Sequence, residues 1–163
     1  MSPNPRGTTG SSSPRPPRER QQELLQEIGR DLLGGCPEGW SRIDLRASVA
    51  LTQDLMSLVV LMPDHSSPSA DLPLSVGQAL RELRELMYTE ERGTWFSLRY
   101  TMDPPAAFHV TYNYDFDPKW SPDLSPHEWA LDLEHFPRAP EHVPGWLRAK
   151  LPDDNDDQPT AGY

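Results

Sequence analysis

The chain has 163 residues, 19 prolines, one cysteine and a formal net charge of −10. That length suits one domain, which hides roughly two thirds of the surface its unfolded chain exposes and needs no disulfide or metal staple. The acidity argues against nonspecific binding to nucleic acid or an anionic membrane, both of which need a basic surface, and it admits a basic protein partner.

Residues 1–18 hold Ser, Gly, Pro and Arg with almost nothing apolar, and read as a disordered leader. Their polarity gives no secretory signal, and the longest apolar run, residues 58–62, is too short to span a bilayer. Cys36 can form no internal disulfide, so the fold does not depend on an oxidising compartment. The cytoplasm is the expected location.

The folded domain is expected over residues 19–151. Leu24, Leu25, Ile28, Leu32 and Leu33 recur at helical spacing over 19–33, and the Gly34–Gly35 pair stops the helix. Residues 41–51 alternate as a strand, with Ile43, Leu45, Ala47 and Val49 on one face and Arg42, Asp44, Arg46 and Ser48 on the other. A turn at 52–54 leads to a second strand over 55–62. Its residues 58–62 are apolar on both faces, which predicts a central strand covered on both sides.

Ser75 and Gln78 have the S-x-x-Q spacing of a capping box and mark the start of a second helix. Val76, Ala79, Leu80, Leu83, Leu86 and Met87 form its buried face, with Arg81, Glu82, Arg84 and Glu85 mostly outside. A third strand, 94–102, points Phe96, Leu98, Tyr100 and Met102 inward. A fourth, 107–116, does the same with Val110, Tyr112, Tyr114 and Phe116, so aromatics can pair across the hairpin. Ser125, Pro126 and Glu128 sit at N-cap, N1 and N3 of a short helix reaching about residue 134. Residues 143–151 add another, which brings Trp146 and Leu147 to the core. Residues 152–163 read as an acidic disordered tail. The order α-β-β-α-β-β-α-α predicts a single α+β domain in which two hairpins share one antiparallel sheet with helices packed on it.

Asp115 and Asp117 are the unusual feature, because Asp is depleted in strands. D-x-D can ligate a hard cation, but nothing around it reads as a nucleotide-binding fold and no Gly-rich phosphate loop follows a strand. Two carboxylates at i and i+2 on a strand stand about 6.5–7 Å apart, a spacing a hydrolase can use only inside a cleft. His65, His109, His127, His135 and His142 form no metal-binding motif, and no nucleophile elbow occurs. No cofactor is expected. Partner binding is the third reading. Asp115, Asp117, Asp123, Glu128, Asp132 and Glu134 accumulate around Trp120 and Trp129, with Lys119 the one Lys or Arg among them. Aromatics anchor interfaces, and an acidic surface steers a basic partner. Both tryptophans also suit a core that pins the last helix.

Four places resemble the YezG-like family of bacterial immunity proteins. They are IGRDLLGGCPEGWSRIDLRASV at 28–49, GTWFSLRYTMDPPAAFHVTYNYDFDP at 93–118, Trp120 with the short helix after it, and DLEHFPRAPEHVPGWLRAKL at 132–151, with its F-P-R…P-x-W-L ending. The resemblance covers residues 20–151. It implies an antiparallel sheet with helices and a non-enzymatic role. That role is to bind and block the cognate domain of a polymorphic secreted toxin, with a basic nuclease as the expected target. Asp115, Asp117 and Trp120, then Glu128 and Asp132, are the candidate partner-binding residues. The alternatives are a small metal-binding or hydrolytic domain built on Asp115 and Asp117, or a cytoplasmic regulatory interaction module. If the doublet serves members that face different toxins, its role is to organise the turn from Pro118 to Trp120.

Overall fold

The computed structural model describes residues 17–153; residues 1–16 and most of the expected acidic tail, 154–163, lie outside the described residues. The elements are α1 (Pro17–Gly35), β1 (Arg42–Val49), β2 (Asp54–Leu61), α2 (Leu74–Leu86), β3 (Ser97–Asp103), β4 (Ala107–Asn113), α3 (Pro126–His135), a 3₁₀ turn (Pro140–His142) and α4 (Gly145–Lys150). The expected order and class are both present. All strands pair antiparallel, in the spatial order β2-β1-β3-β4.

Alternation dictates which face is covered. Ile43, Leu45, Ala47 and Val49 of β1 and Leu98, Tyr100 and Met102 of β3 point to one side. There Leu24, Ile28 and Leu32 of α1 and Val76, Leu80 and Leu83 of α2 close over them in one core. Each such side chain contributes about 1.5–3 kcal/mol when fully buried. Phe108 stacks on Tyr100 with ring centroids 5.3 Å apart, so the expected aromatic pairing across the β3–β4 hairpin forms. Helix α1 approaches the sheet at Gly29. A Cβ there would lie 2.7 Å from the Tyr100 hydroxyl, which donates to the Leu25 carbonyl at 2.9 Å.

A second core lies at one end of the sheet, where β1 and β4 finish and β3 begins. Ala50, Phe96, Trp120, Leu124, Trp129 and Leu147 meet there, so Trp120 and Trp129 are core residues that seat α3 and α4. Phe96, Trp129 and Trp146 contact one another edge to face at 4.9–6.4 Å.

Four expectations are corrected. Strand β2 is an edge strand, not a central one. Its second apolar face is simply exposed, with Leu55 at 44% and Val59 at 48%, because neither face helix covers that side. Strand β4 stops at Asn113, and Phe116 is 76% exposed instead of inward. The Asn113 side chain accepts from the backbone N–H of Asp115 and Phe116, which replaces ladder bonds with a local turn. Helix α2 has Pro73 at its N-cap and no side-chain cap, so Ser75 and Gln78 form no capping box. Arg84, expected on the outer face of α2, is buried.

Candidate functional site

The doublet Asp115 and Asp117 lies just past β4, where the chain leaves the sheet. Asp115 is exposed. Its carbonyl accepts from Trp146 Nε1 at 2.8 Å, and its carboxylate stands 3.9 Å from Arg92. Asp117 Oδ1 accepts the Lys119 N–H at 2.9 Å, and Lys119 has φ +56°. That local bond offsets the cost of a left-handed non-glycine residue and sets the bend that delivers Trp120 to the core. The other oxygen of Asp117 is 3.5 Å from Lys150 Nζ. The doublet therefore sits in a built turn, and of the two only Asp115 is exposed.

Glu128 completes the capping box foreseen for α3. It accepts from Ser125 N at 2.9 Å, while Ser125 Oγ accepts from Glu128 N at 3.2 Å. The Glu128 carboxylate also accepts from Thr52 and Gln53, which fastens α3 to the β1–β2 turn. These bonds, led by the one from the Ser125 backbone, hold its carboxyl below the usual range. Asp123 receives Trp129 Nε1 at 3.2 Å and a short bond from Lys150. Against the desolvation of partial burial, those partners lower its pKa.

Asp132 lies inside, at 4% exposure, beside Arg84 at 2%. The pair is bidentate, at 2.6 and 2.8 Å. Arg84 Nε donates to the Trp95 carbonyl, and Asp132 accepts the Leu51 N–H, both at 2.8 Å. Every strong polar group of this buried pair is matched, which such a pair requires. It joins α2, α3 and the end of β1. Asp132 thus has no free carboxylate to offer a partner.

The F-P-R…P-x-W-L ending is architecture of the same kind. Phe136 lies under the Arg84 guanidinium and against Tyr88. Arg138 donates to the carbonyls of Tyr114, Thr94 and His142 at 2.7, 2.7 and 3.1 Å, and covers the Phe96 ring. Burial pushes its pKa down to about 10, so it remains charged at neutral pH. Sequence proximity could not reveal Arg84, Arg92 or Lys150 as neighbours of the acidic run; they arrive from other elements.

The opposite face of the sheet is different. Its rows follow from the register: Leu61, Arg42 and Asp103; Val59, Asp44, Thr101 and His109; Ser57, Arg46, Arg99 and Thr111; Leu55, Ser48, Ser97 and Asn113. A hollow of about 630 Å³ opens here, with Pro118 of the doublet's turn at its border. The signal was present in the R-x-D-x-R alternation of β1, but a solvated strand face has the same pattern. Among the described residues, no three His, Cys, Asp or Glu side chains gather as a metal site, and no helix is long and apolar enough to cross a membrane.

No protein-family model matches the chain. It is 32% identical over 111 residues to Immunity protein YezG of Bacillus subtilis (strain 168), a match that takes in 58% of this chain and 73% of that protein. With the α-β-β-α-β-β-α-α order in place and the acidic run built into its scaffold, that likeness places the chain in the YezG family of immunity proteins.

Proposed function

We propose that this protein is a cytoplasmic immunity protein that binds the toxic domain of a cognate polymorphic secreted toxin, a nuclease, and blocks it without catalysing a reaction. The observation that carries this reading is the likeness to Immunity protein YezG. The acidity of the chain supports a nuclease target, because a surface that holds nucleic acid is basic and a carboxylate array is drawn to it. Exposed Asp115, beside exposed Phe116, is the contact we assign from the doublet. Asp117 and Trp120 serve that contact indirectly, by holding the turn that presents it, whereas Glu128 and Asp132 fasten α3 to the β1–β2 turn and to α2.

Co-expression with the C-terminal domain of a secreted toxin encoded beside this gene tests the reading. Cells carrying both are expected to survive, and cells carrying the toxin domain alone to die. Equal death in both removes the proposal. Asp115→Lys is expected to slow association several-fold at low salt and to flatten its salt dependence, since complementary charge acts mainly on encounter. An unchanged on-rate excludes Asp115 as a contact and leaves immunity standing.

A further inference from the structure

The face of the sheet that no described helix covers carries Arg42, Arg46 and Arg99 against Asp44 and Asp103, on a chain whose net charge is −10. Arg42 is paired with Asp103 at 3.1 and 3.3 Å, and Arg99 with Asp44 at 3.1 and 2.8 Å. Arg46 is exposed and has no hydrogen bond or ion pair among the described residues. It stands directly opposite Arg99 in the β1–β3 register. Like charges placed directly across a ladder are unfavourable. Asp44, whose hydrogen bonds come from Arg99, feels Arg46 only through its field, so the Arg46 guanidinium keeps its own donors free.

The surroundings give the pair a use. Arg46 and Arg99 both line the hollow of about 630 Å³, together with Ser57 and Thr111 as neutral hydrogen-bonding groups. Leu55 and Val59 are exposed on the same face. Covering those apolar side chains would exclude water and strengthen a charge-assisted bond to Arg46. A guanidinium fork fits a carboxylate in two parallel bonds. A nucleic acid is a poor occupant, because the chain as a whole repels a polyanion.

We propose that this open face is the toxin-docking surface, and that Arg46, backed by Arg99, receives an Asp or Glu side chain of the toxin while Leu55 and Val59 are covered by its apolar neighbours. The inference rests on the immunity reading and adds the contact chemistry to it. The hollow accepts the acidic group, and Asp115 in the turn beyond β4 faces the basic part of the same partner.

The test is titration calorimetry of the full chain with the toxin domain encoded beside it. The variants are Arg46→Glu, Arg46→Ser and, as a control of equal charge change on exposed α1, Arg30→Glu. Arg46→Glu is expected to weaken binding about 30-fold or more and Arg46→Ser by roughly tenfold, whereas Arg30→Glu stays within about threefold. Thermal melting checks that each variant is folded, and Arg46→Ser keeps the question open to decision if charge reversal disturbs the sheet. Wild-type affinity in folded Arg46→Ser overturns the inference and leaves the immunity reading intact. Equal losses in Arg46→Glu and Arg30→Glu reduce the effect to net charge and also overturn it. A wild-type chain that neither binds nor protects overturns the immunity reading itself. A wild-type dimer that dissociates in Arg46→Ser assigns the face to a second copy of this chain and overturns the toxin contact.

Discussion

At the closed end of the sheet, Asp132 meets Arg84, Asp123 meets Lys150 and Glu128 caps α3; on the open face, Arg46 stands opposite Arg99 with no hydrogen bond or ion pair among the described residues. The two regions lie on one sheet and use charge in opposite ways. At the closed end, carboxylates crowded in sequence are matched one by one: Asp132 by Arg84 of α2, Asp117 and Asp123 by Lys150 of α4, and Glu128 by the neutral donors of Thr52, Gln53 and Ser125. On the open face, arginines spaced along two strands are brought together and left incompletely matched. Charge that a fold has already consumed stabilises it, and charge left over is available to a partner. The acidic run, conspicuous in sequence, is therefore largely structural, and the arginines of the open face were easy to pass over.

The contrast breaks first at Asp132. Asp132→Leu strands the Arg84 guanidinium in the interior and is expected to cost about 3–5 kcal/mol. Urea unfolding measures it, and adding Arg84→Met should restore much of the loss. A cost below about 1 kcal/mol would mean that water reaches Arg84 and that the closed end is not closed.

A smaller effect separates the two faces of the sheet. Gly29→Ala raises helix propensity by roughly 0.5–1 kcal/mol but drives a methyl group against Tyr100 and Met102. Overpacking typically costs about 1–3 kcal/mol, so net destabilisation is expected on the covered face. By contrast, Arg46→Ser on the open face should change stability by no more than about 0.5 kcal/mol. Melting temperatures of the two variants compare the faces directly, and equal losses would erase the distinction.

The smallest effect is the acid limb. Asp44, held down by its bond from Arg99, and Asp123 and Glu128 at the closed end all have carboxyls below their ordinary values of 3.8, 3.8 and 4.5. A carboxyl depressed in the folded state stabilises it above the unfolded pKa, and that stability is lost as pH falls through the folded pKa. The melting temperature should therefore stay level from neutral pH to about 5 and fall below about 4. Glu128→Gln should make that fall shallower through the closed end, and Arg99→Ser through the open face. A slope unchanged in both would place the acid sensitivity elsewhere.

Much of this was readable from local pattern. Period two in 41–51 and 94–102 gave the covered faces of β1 and β3, and Ser125-Pro126 with Glu128 gave the start of α3, because those signals depend on neighbours in the chain. Other features did not yield to it. The apolar stretch at 58–62 suited a central strand, but only the pairing order decided that β2 stands at the edge. Ser75 and Gln78 had the right spacing, but the helix starts at Leu74, behind Pro73.

The doublet shows where local reading ends. Asp117 bonds two residues along to Lys119, a contact its sequence position allows. Asp132 bonds to Arg84, 48 residues away, and nothing in the run around Asp132 names that partner. Sequence alone determined the element order, the core periodicity and the family likeness, because each rests on residue types at short, regular spacing. Tertiary structure alone decided which charges are neutralised and which face stays open, since burial and Coulomb partners depend on distance in space.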